Sequence, residues 1–198
     1  MTKRPRRPIA ALTVSLTIFC AACAGGDPVD ERPMRAIVML DDGWGANVTL
    51  DDEAPGILAQ LEAMGWELTI VSCKPSLKPC GYANRSPRTA SVKVQKLARD
   101  IDDVTEYDAL VVAPGKGLAG LVADPASLEL VRRADRAGLA VAAFCRGARV
   151  LAAAGILEGR TMTGHPDYRD EYLAAGARFI DYADRGGKTD APPPVVDG

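Results

Sequence analysis

The chain has 198 residues, of which 47% are hydrophobic and 25% are charged, and its formal net charge at pH 7 is −2. This length and composition suit one globular domain with a substantial core, and they exclude a largely disordered chain. A slightly acidic chain offers no basic surface to a phosphate backbone, so we expect no nucleic-acid partner.

The N-terminus has the order of a secretory signal peptide. Basic residues between Lys3 and Arg7 precede an apolar stretch from Ile9 to Phe19, and small residues follow. This order is typical of export signals, and the apolar stretch is shorter than the about 20 residues that a membrane-spanning helix needs. The sequence therefore predicts an exported protein, periplasmic or on the outer surface.

The end of this segment is similar to a bacterial lipobox. Cys23 stands where lipid would be attached, although Cys20 replaces the usual leucine. We therefore predict a signal peptide over residues 1–23 and contact with the membrane only through an N-terminal lipid. Two alternatives stay open, which are plain secretion after cleavage near Ala22 or Ala24, and an uncleaved anchor.

The remaining chain alternates apolar runs with helical segments. Residues 24–33 are rich in Gly, Asp and Pro, which predicts a flexible tether before a domain over residues 34–198. The predicted strands are Arg35–Leu40, Glu67–Val71, Tyr107–Ala113, Leu139–Phe144, Thr161–Thr163 and Ala177–Ile180. The predicted helices are Pro55–Met64, one from Asp124 to Gly138, one directly after Cys145, and Asp167–Ala175. This alternation predicts a flavodoxin-like, doubly wound parallel sheet in a three-layer α/β/α sandwich.

A polar loop follows the first predicted strand. Open α/β sheets bind ligands at the carboxyl ends of their strands. Asp42, Trp44 and Asn47 are therefore candidate residues of a site loop. The acidic run at 51–53 has two explanations, a role in the site or capping of the following helix.

Cys73 and Cys80 flank a short loop that contains two prolines. Thiols in an oxidising compartment tend to pair, so this spacing makes a disulfide between them a candidate, with two free thiols as the alternative. Cys145 is then the unpaired cysteine of the domain. We see no histidine spacing for zinc, and we expect neither a metal nor a cofactor.

The segment around Cys145 has the pattern of a nucleophile elbow. An apolar run ends at Cys145, and the small residues Ala143 and Gly147 lie two positions before and after it, as a strained strand-to-helix turn requires. A helix N-terminus and the neighbouring Arg146 favour a thiolate. The alternative is a thiol buried in the core, which is common for free cysteines.

Four segments in this order resemble the DJ-1/PfpI superfamily. They are Tyr107–Gly117, the turn around Cys145, Ala154–Arg160 and Thr161–Pro166. The resemblance covers residues 34–198 and implies the flavodoxin-like fold and a small-molecule substrate. Relatives continue into a further strand and a closing helix, so the resemblance also implies a domain that lacks its usual C-terminal strand and helix.

The resemblance also implies roles for individual residues. Cys145 would attack a small carbonyl or acyl substrate in hydrolase, deglycase or glyoxalase-type chemistry. His165, the only histidine of the chain, matches the Thr-x-x-Pro turn of some members and would act as acid and base. Backbone N–H groups of Lys116 and Arg146 would hold an oxyanion, although Lys116 replaces a usual glycine.

Several alternatives remain beside these roles. The glutamate that usually contacts the cysteine is missing, because Asn47 or Val48 stands in the matching place. The second hypothesis is therefore a non-catalytic sensor in which Cys145 is oxidised reversibly, or a binding module. The alternative for His165 is a solvated or structural role. The alternative for the glycine-rich turn before Leu118 is a simple strand-to-helix connection without a role in the site. Arg149 is predicted to lie on the surface, and a homodimer is left open.

Overall fold

A five-stranded parallel sheet lies at the centre of the computed structural model, which describes residues 32–44, 56–80 and 92–181. Its strands are β1 (Arg35–Met39), β2 (Glu67–Ser72), β3 (Lys96–Leu97), β4 (Ala109–Val112) and β5 (Ala140–Ala143). They lie in the order β3-β2-β1-β4-β5. Two further strands, β6 (Thr161–Met162) and β7 (Arg178–Phe179), pair with each other in a separate sheet.

Five α-helices are described with these strands. They are α1 (Ile57–Ala63), α2 (Ala119–Ala123), α3 (Pro125–Arg136), α4 (Ala148–Ala154) and α5 (Arg169–Ala174). The parallel sheet with flanking helices confirms the predicted flavodoxin-like α/β fold. No helix among the described residues is both long and apolar enough to cross a bilayer.

Side-chain alternation along the strands produces two cores, one on each face of the sheet. Ile37 and Met39 of β1 belong to a cluster that contains residues of α3 and α4. Ala36 and Val38 belong to a second cluster, which α1 covers. The sheet is therefore buried on both faces near its centre, as continuous apolar strands predict.

Strand β5 lies at one end of the strand order. Ala140 and Ala142 are exposed, and the adjoining Phe144 is 45% exposed. No described strand pairs with the outer edge of β5. The segment that carries the predicted nucleophile therefore follows a half-covered strand rather than a buried one.

The structure does not contain the predicted disulfide, because Cys73 and Cys80 are both free. Cys73 packs against the cluster that includes α3, whereas Cys80 belongs to the cluster under α1. The two thiols thus contact cores on different faces of the sheet. The short sequence separation did not reveal this difference.

Several predictions concern residues outside the described ranges. They are the signal peptide over 1–23 with Cys23, the tether except its last residues, Asn47, Val48, the acidic run 51–53, and everything after 181. The chain divides into two units, Met1–Arg32 and Pro33–Gly198. Apart from Arg32, all described residues belong to the second unit.

Candidate active site

Cys145 lies in a strained turn at the carboxyl end of β5. Its φ is +55°, a left-handed value that few residues other than glycine adopt. A single 3₁₀ turn, Cys145–Gly147, leads directly into α4. A Cβ at Gly147 would lie 2.6 Å from the carbonyl oxygen of Val112, so only glycine fits there. Cys145 itself is exposed, so it is not the buried core thiol of the alternative interpretation.

The glycine-rich turn after β4 is strained as well. Gly117 has a φ of +94° and the following Leu118 a φ of +56°. Leu118 and Cys145 are the described non-glycine residues with positive φ, and they follow neighbouring parallel strands. Strain of this kind is retained where the surrounding contacts hold it, and it is frequent in active sites.

One predicted oxyanion donor is already engaged. The N–H of Lys116 donates to the carbonyl oxygen of Gly43 at 3.1 Å. The N–H of Gly117 donates to Gly115 at 3.0 Å. The Lys116 N–H is therefore hydrogen-bonded to the loop after β1 in this structure, and its role as an oxyanion donor stays a prediction. The backbone N–H of Arg146, directly after the thiol, remains as the candidate donor.

The structure brings the backbones of His165 and Cys145 together. The N–H of His165 donates to the carbonyl oxygen of Cys145 at 3.3 Å. The imidazole Nδ1 lies 3.4 Å from the backbone nitrogen of Asp167 and 3.4 Å from its Oδ2. The His165 side chain is 23% exposed. The imidazole is therefore held by the start of the following 3₁₀ turn, next to the elbow.

The charges near the thiol belong to the same two turns. Arg146 Nη2 lies 3.9 Å from Asp167 Oδ2, and the Arg146 side chain is 31% exposed. Asp167 thus faces both the cation beside the nucleophile and the imidazole. Among the described residues, no group of three or more His, Cys, Asp or Glu side chains is placed to bind a metal ion.

The predicted site loop has mainly a structural role. Trp44 is 2% exposed and belongs to the core under α1. Asp42 forms an ion pair with Lys74 and accepts the N–H of Lys78 at 2.8 Å. The hydrogen bond from Lys74 lowers the pKa of Asp42. Asp42 and Trp44 therefore fix the loop, and Asn47 lies outside the described residues.

Asp41, which the sequence analysis did not select, binds the first turn of α2 after the glycine-rich turn. Its carboxylate is 3% exposed and accepts the N–H of Gly120 at 2.7 Å and that of Leu121 at 3.3 Å. A Cβ at Gly120 would lie 2.6 Å from Asp41 Oδ1. Asp41 thereby caps α2 and fixes the end of the strained turn. A charged residue that directly continues an apolar strand was the available signal.

Two polar side chains of the neighbouring helices, one half-buried and one buried, were also missed. The Arg149 side chain is 17% exposed, so the prediction of a surface residue is wrong. Tyr172 is fully buried, and its hydroxyl has no hydrogen-bond partner among the described residues. Burial raises the pKa of Tyr172 to about 12. The phenol therefore stays protonated at neutral pH.

Comparison with known proteins identifies the family of this chain. The model of the DJ-1/PfpI family matches residues 46–198. The deglycase PfpI of Pyrococcus furiosus is 35% identical over 91 residues, which are 46% of this chain and 54% of that protein. The isonitrile hydratase of Pseudomonas putida is 33% identical over 92 residues, which are 46% of this chain and 40% of that protein.

A solved structure shows the same fold. A two-domain protein of Anabaena variabilis, with DJ-1/ThiJ/PfpI-like and ferritin-like domains, superposes with a TM-score of 0.62 at 19% identity. The match covers 76% of this chain and 40% of that one. The matched segments span about half the length of the curated relatives. Because the family model matches well over half of the sequence, the chain belongs to the DJ-1/PfpI family.

Proposed function

We propose that the protein is a cysteine-dependent enzyme for a small carbonyl or acyl substrate, with deglycase, glyoxalase or hydrolase-type chemistry. One observation carries the proposal. The exposed Cys145 lies in a strained elbow, and the turn of His165 is hydrogen-bonded to its carbonyl oxygen at 3.3 Å. The relatives named deglycase and isonitrile hydratase support a reactive centre of this general kind.

The chemistry begins with attack by the Cys145 thiolate on the substrate carbonyl carbon. An Sγ–C bond forms, and the electron pair of the C=O π bond moves to the oxygen. The backbone N–H of Arg146 stabilises that oxyanion, because it follows the nucleophile directly. His165 supplies the proton to the oxyanion or the leaving group and later accepts one from water. No participation of Lys116 is needed.

The first experiment measures turnover of methylglyoxal and of an activated ester. We expect Cys145→Ala to abolish turnover, because no other exposed thiol lies at the elbow. Cys73→Ala is the matched control. It removes a free but half-buried thiol that directly follows β2, and it should leave turnover intact. Equal turnover in wild type and Cys145→Ala would contradict the proposal.

A second comparison separates the role of the imidazole from that of the thiol. His165→Ala should lower turnover by about 10²–10⁴-fold, as expected for a general acid–base group. Alkylation of Cys145 by iodoacetamide should change much less, because alkylation needs no proton donor. If turnover survives His165→Ala and is lost in Cys145→Ala, the assigned role of His165 is wrong.

The exposure of Cys145 also favours a second candidate function, reversible oxidation by a peroxide. The thiol would gain one oxygen atom as a sulfenic acid while the peroxide is reduced to water or an alcohol. Arg146, the next residue in the chain, would stabilise the sulfenate. Sulfenate formation at Cys145 without any turnover of carbonyl or ester substrates would favour the sensor over the enzyme.

We propose further that the protein is exported and carries lipid on Cys23, on the evidence of the basic, apolar and small-residue order of the N-terminus. Metabolic labelling with palmitate tests this. Wild type should be labelled and Cys23→Ser should not. Equal labelling of both proteins, or of neither, would reject the lipobox interpretation.

A further inference from the structure

Arg149 connects three segments that surround the nucleophile. Its Nε and Nη2 donate to the two carboxylate oxygens of Glu171 at 2.8 and 2.9 Å. Its Nη1 donates to the carbonyl oxygen of Gly117. Its guanidinium carbon lies 4.1 Å from the ring centroid of Tyr168. One side chain of α4 therefore contacts the glycine-rich turn, the His165 turn and α5.

Two of these segments lie beside the groups of the proposed reaction, because the His165 turn carries the imidazole and the glycine-rich turn follows β4, the strand next to β5. Arg149 lies in the first turn of α4, directly after the 3₁₀ turn of Cys145. Gly117 belongs to the turn that faces the elbow, and Tyr168 closes the 3₁₀ turn that starts at His165. Tyr168 N–H also donates to the carbonyl oxygen of His165 at 3.1 Å. Arg149 therefore joins both turns to the helix that follows the thiol.

The glycine-rich turn needs an external contact to keep its conformation. Gly117 and Leu118 both have positive φ, and for a buried leucine this backbone is unfavourable by about 1–3 kcal/mol. Such a turn persists only where its surroundings fix it. The hydrogen bond from Arg149 fixes the carbonyl of the peptide that joins these two residues.

We propose that Arg149 is a positioning residue, which holds the glycine-rich turn and the His165 turn in register with Cys145. The kinetic consequence of this inference rests on the proposed enzymatic function. The contacts of Arg149 with Glu171, Gly117 and Tyr168, which we call the clamp, belong to the fold itself. Among the described residues, Arg149 forms no hydrogen bond or ion pair with the thiol or the imidazole. It acts through Gly117 and through the turn that ends at Tyr168.

A positioning role predicts a specific kinetic pattern. Misplacement of reacting groups by about 1 Å can cost about 10²-fold in rate, because attack requires aligned atoms. Arg149→Met should therefore lower kcat by about 10–100-fold and leave KM within about threefold. Arg149→Lys retains the charge but lacks the planar fork that reaches Glu171 and Gly117 together, so its kcat should be intermediate.

Arg132 provides a matched control. It lies on α3, its Nε donates to the carbonyl oxygen of Ala154 at 2.9 Å, and its Nη1 donates to Glu129 at 3.0 Å. It thus joins two helices in the same manner as Arg149, but it contacts the far end of α4. Arg132→Met should lower the melting temperature without lowering kcat.

The experiment compares kcat, KM, melting temperature and amide hydrogen exchange over residues 115–119 in wild type, Arg149→Met, Arg149→Lys and Arg132→Met. Faster exchange over residues 115–119 and a reduced kcat in the Arg149 variants alone support the inference. Unchanged exchange in those variants overturns it, as does a loss of kcat that is equal in Arg132→Met.

The two proposals fail separately. If wild type turns over no carbonyl or ester substrate, the proposed function fails and the clamp is judged on exchange over residues 115–119. Faster exchange in Arg149→Met than in Arg132→Met then upholds the clamp, and equal exchange overturns it. Should Arg149→Met fail to fold, Arg149→Lys carries the same comparison.

Discussion

The three described cysteines have very different surroundings. Cys145 is exposed, Cys73 is half-buried and Cys80 is 4% exposed. Burial, and then the nearby Asp41 carboxylate, raise the pKa of Cys73. Since thiolates rather than thiols react with electrophiles, exposure and charge should separate the rates of these residues.

We expect iodoacetamide to modify Cys145 at least about tenfold faster than Cys73 near neutral pH. Peptide-resolved mass spectrometry of samples quenched at successive times measures each rate. In denaturant all three thiols should react at similar rates, which provides the control. Comparable native rates for Cys73 and Cys145 would show that the described burial and charge do not govern reactivity.

We expect the buried hydroxyl of Tyr172 to reduce stability. The nearby N–H of His165 donates to Cys145 instead, and the phenol has no partner among the described residues. Tyr172→Phe keeps the ring, which lies 5.6 Å from that of Phe179. The substitution should raise the free energy of unfolding by about 1 kcal/mol, because it removes an uncompensated polar group.

Urea denaturation of Tyr172→Phe measures this change. Tyr168→Phe serves as control, since that side chain is only half-buried and its ring remains under Arg149. The control should change stability by a few tenths of a kcal/mol at most. A loss of about 1 kcal/mol in Tyr172→Phe would mean that the hydroxyl has a hydrogen-bond partner in solution.

At the scale of elements, helix α3 illustrates how much the sequence specifies locally. Asp124 accepts the N–H of Ser127 at 2.9 Å, and Pro125 occupies the first helical position. Both features are standard start signals, and Gly138 follows the end with a φ of +77°. The predicted helix from Asp124 to Gly138 therefore agrees closely with the structure.

We expect Asp124→Ala to lower the free energy of unfolding by about 1 kcal/mol, because two hydrogen bonds from Ser127 lose their acceptor. Asp124→Asn should stay close to wild type, since asparagine caps helices almost as well. Thermal or urea denaturation of both variants provides the measurement. Equal loss in both would assign the effect to charge rather than to the cap.

Elements without such local signals were not predictable. Strand β3 has only two residues, and the pairs Val71–Lys96 and Ser72–Leu97 define it. Helix α2 starts without a local side-chain cap, and two of its N–H donors are satisfied by Asp41, which follows the neighbouring strand β1. Both elements depend on tertiary contacts, so no periodicity in the sequence predicts them.

The candidate site also contains residues that the sequence identifies and contacts that depend on distant parts of the chain. Cys145 and Gly147 follow from a tight local pattern, His165 was selected only through the family resemblance, and a backbone hydrogen bond joins His165 to Cys145. The orientation of the Lys116 N–H depends on Gly43, and the burial of Arg149 depends on Glu171. These long-range partners could not be assigned from one sequence.

At the scale of the whole molecule, one ion pair controls part of the pH dependence of stability. The hydrogen bond from Lys74 lowers the pKa of Asp42 below its ordinary 3.8, and Asp42 raises the pKa of Lys74 above its ordinary 10.5. The carboxylate therefore contributes stability above pH 3.8, which is lost as pH falls through its lower folded value. The ammonium contributes below pH 10.5, which is lost as pH rises through its higher folded value.

Asp42→Asn should lower the free energy of unfolding at pH 7 by about 0.2–1 kcal/mol, because both partners are partly exposed to solvent. The difference from wild type should shrink as the pH falls well below 3.8. Urea denaturation across this range measures it. Asp170→Asn is the control, since that carboxylate is fully exposed and should change little at any pH. A deficit that persists in strong acid would point to lost packing instead.

The central position of β1 has a consequence for the order in which the chain acquires its structure. On one side β1 pairs with β2, but on the other it pairs with β4, and Arg35 N–H donates to Asp108, 73 residues later. A chain that emerges from the ribosome N-terminus first therefore presents one open edge of an apolar strand until β4 is made. During that interval the open edge is a template for strand pairing, so we expect the nascent chain to need protection from other chains until β4 has formed.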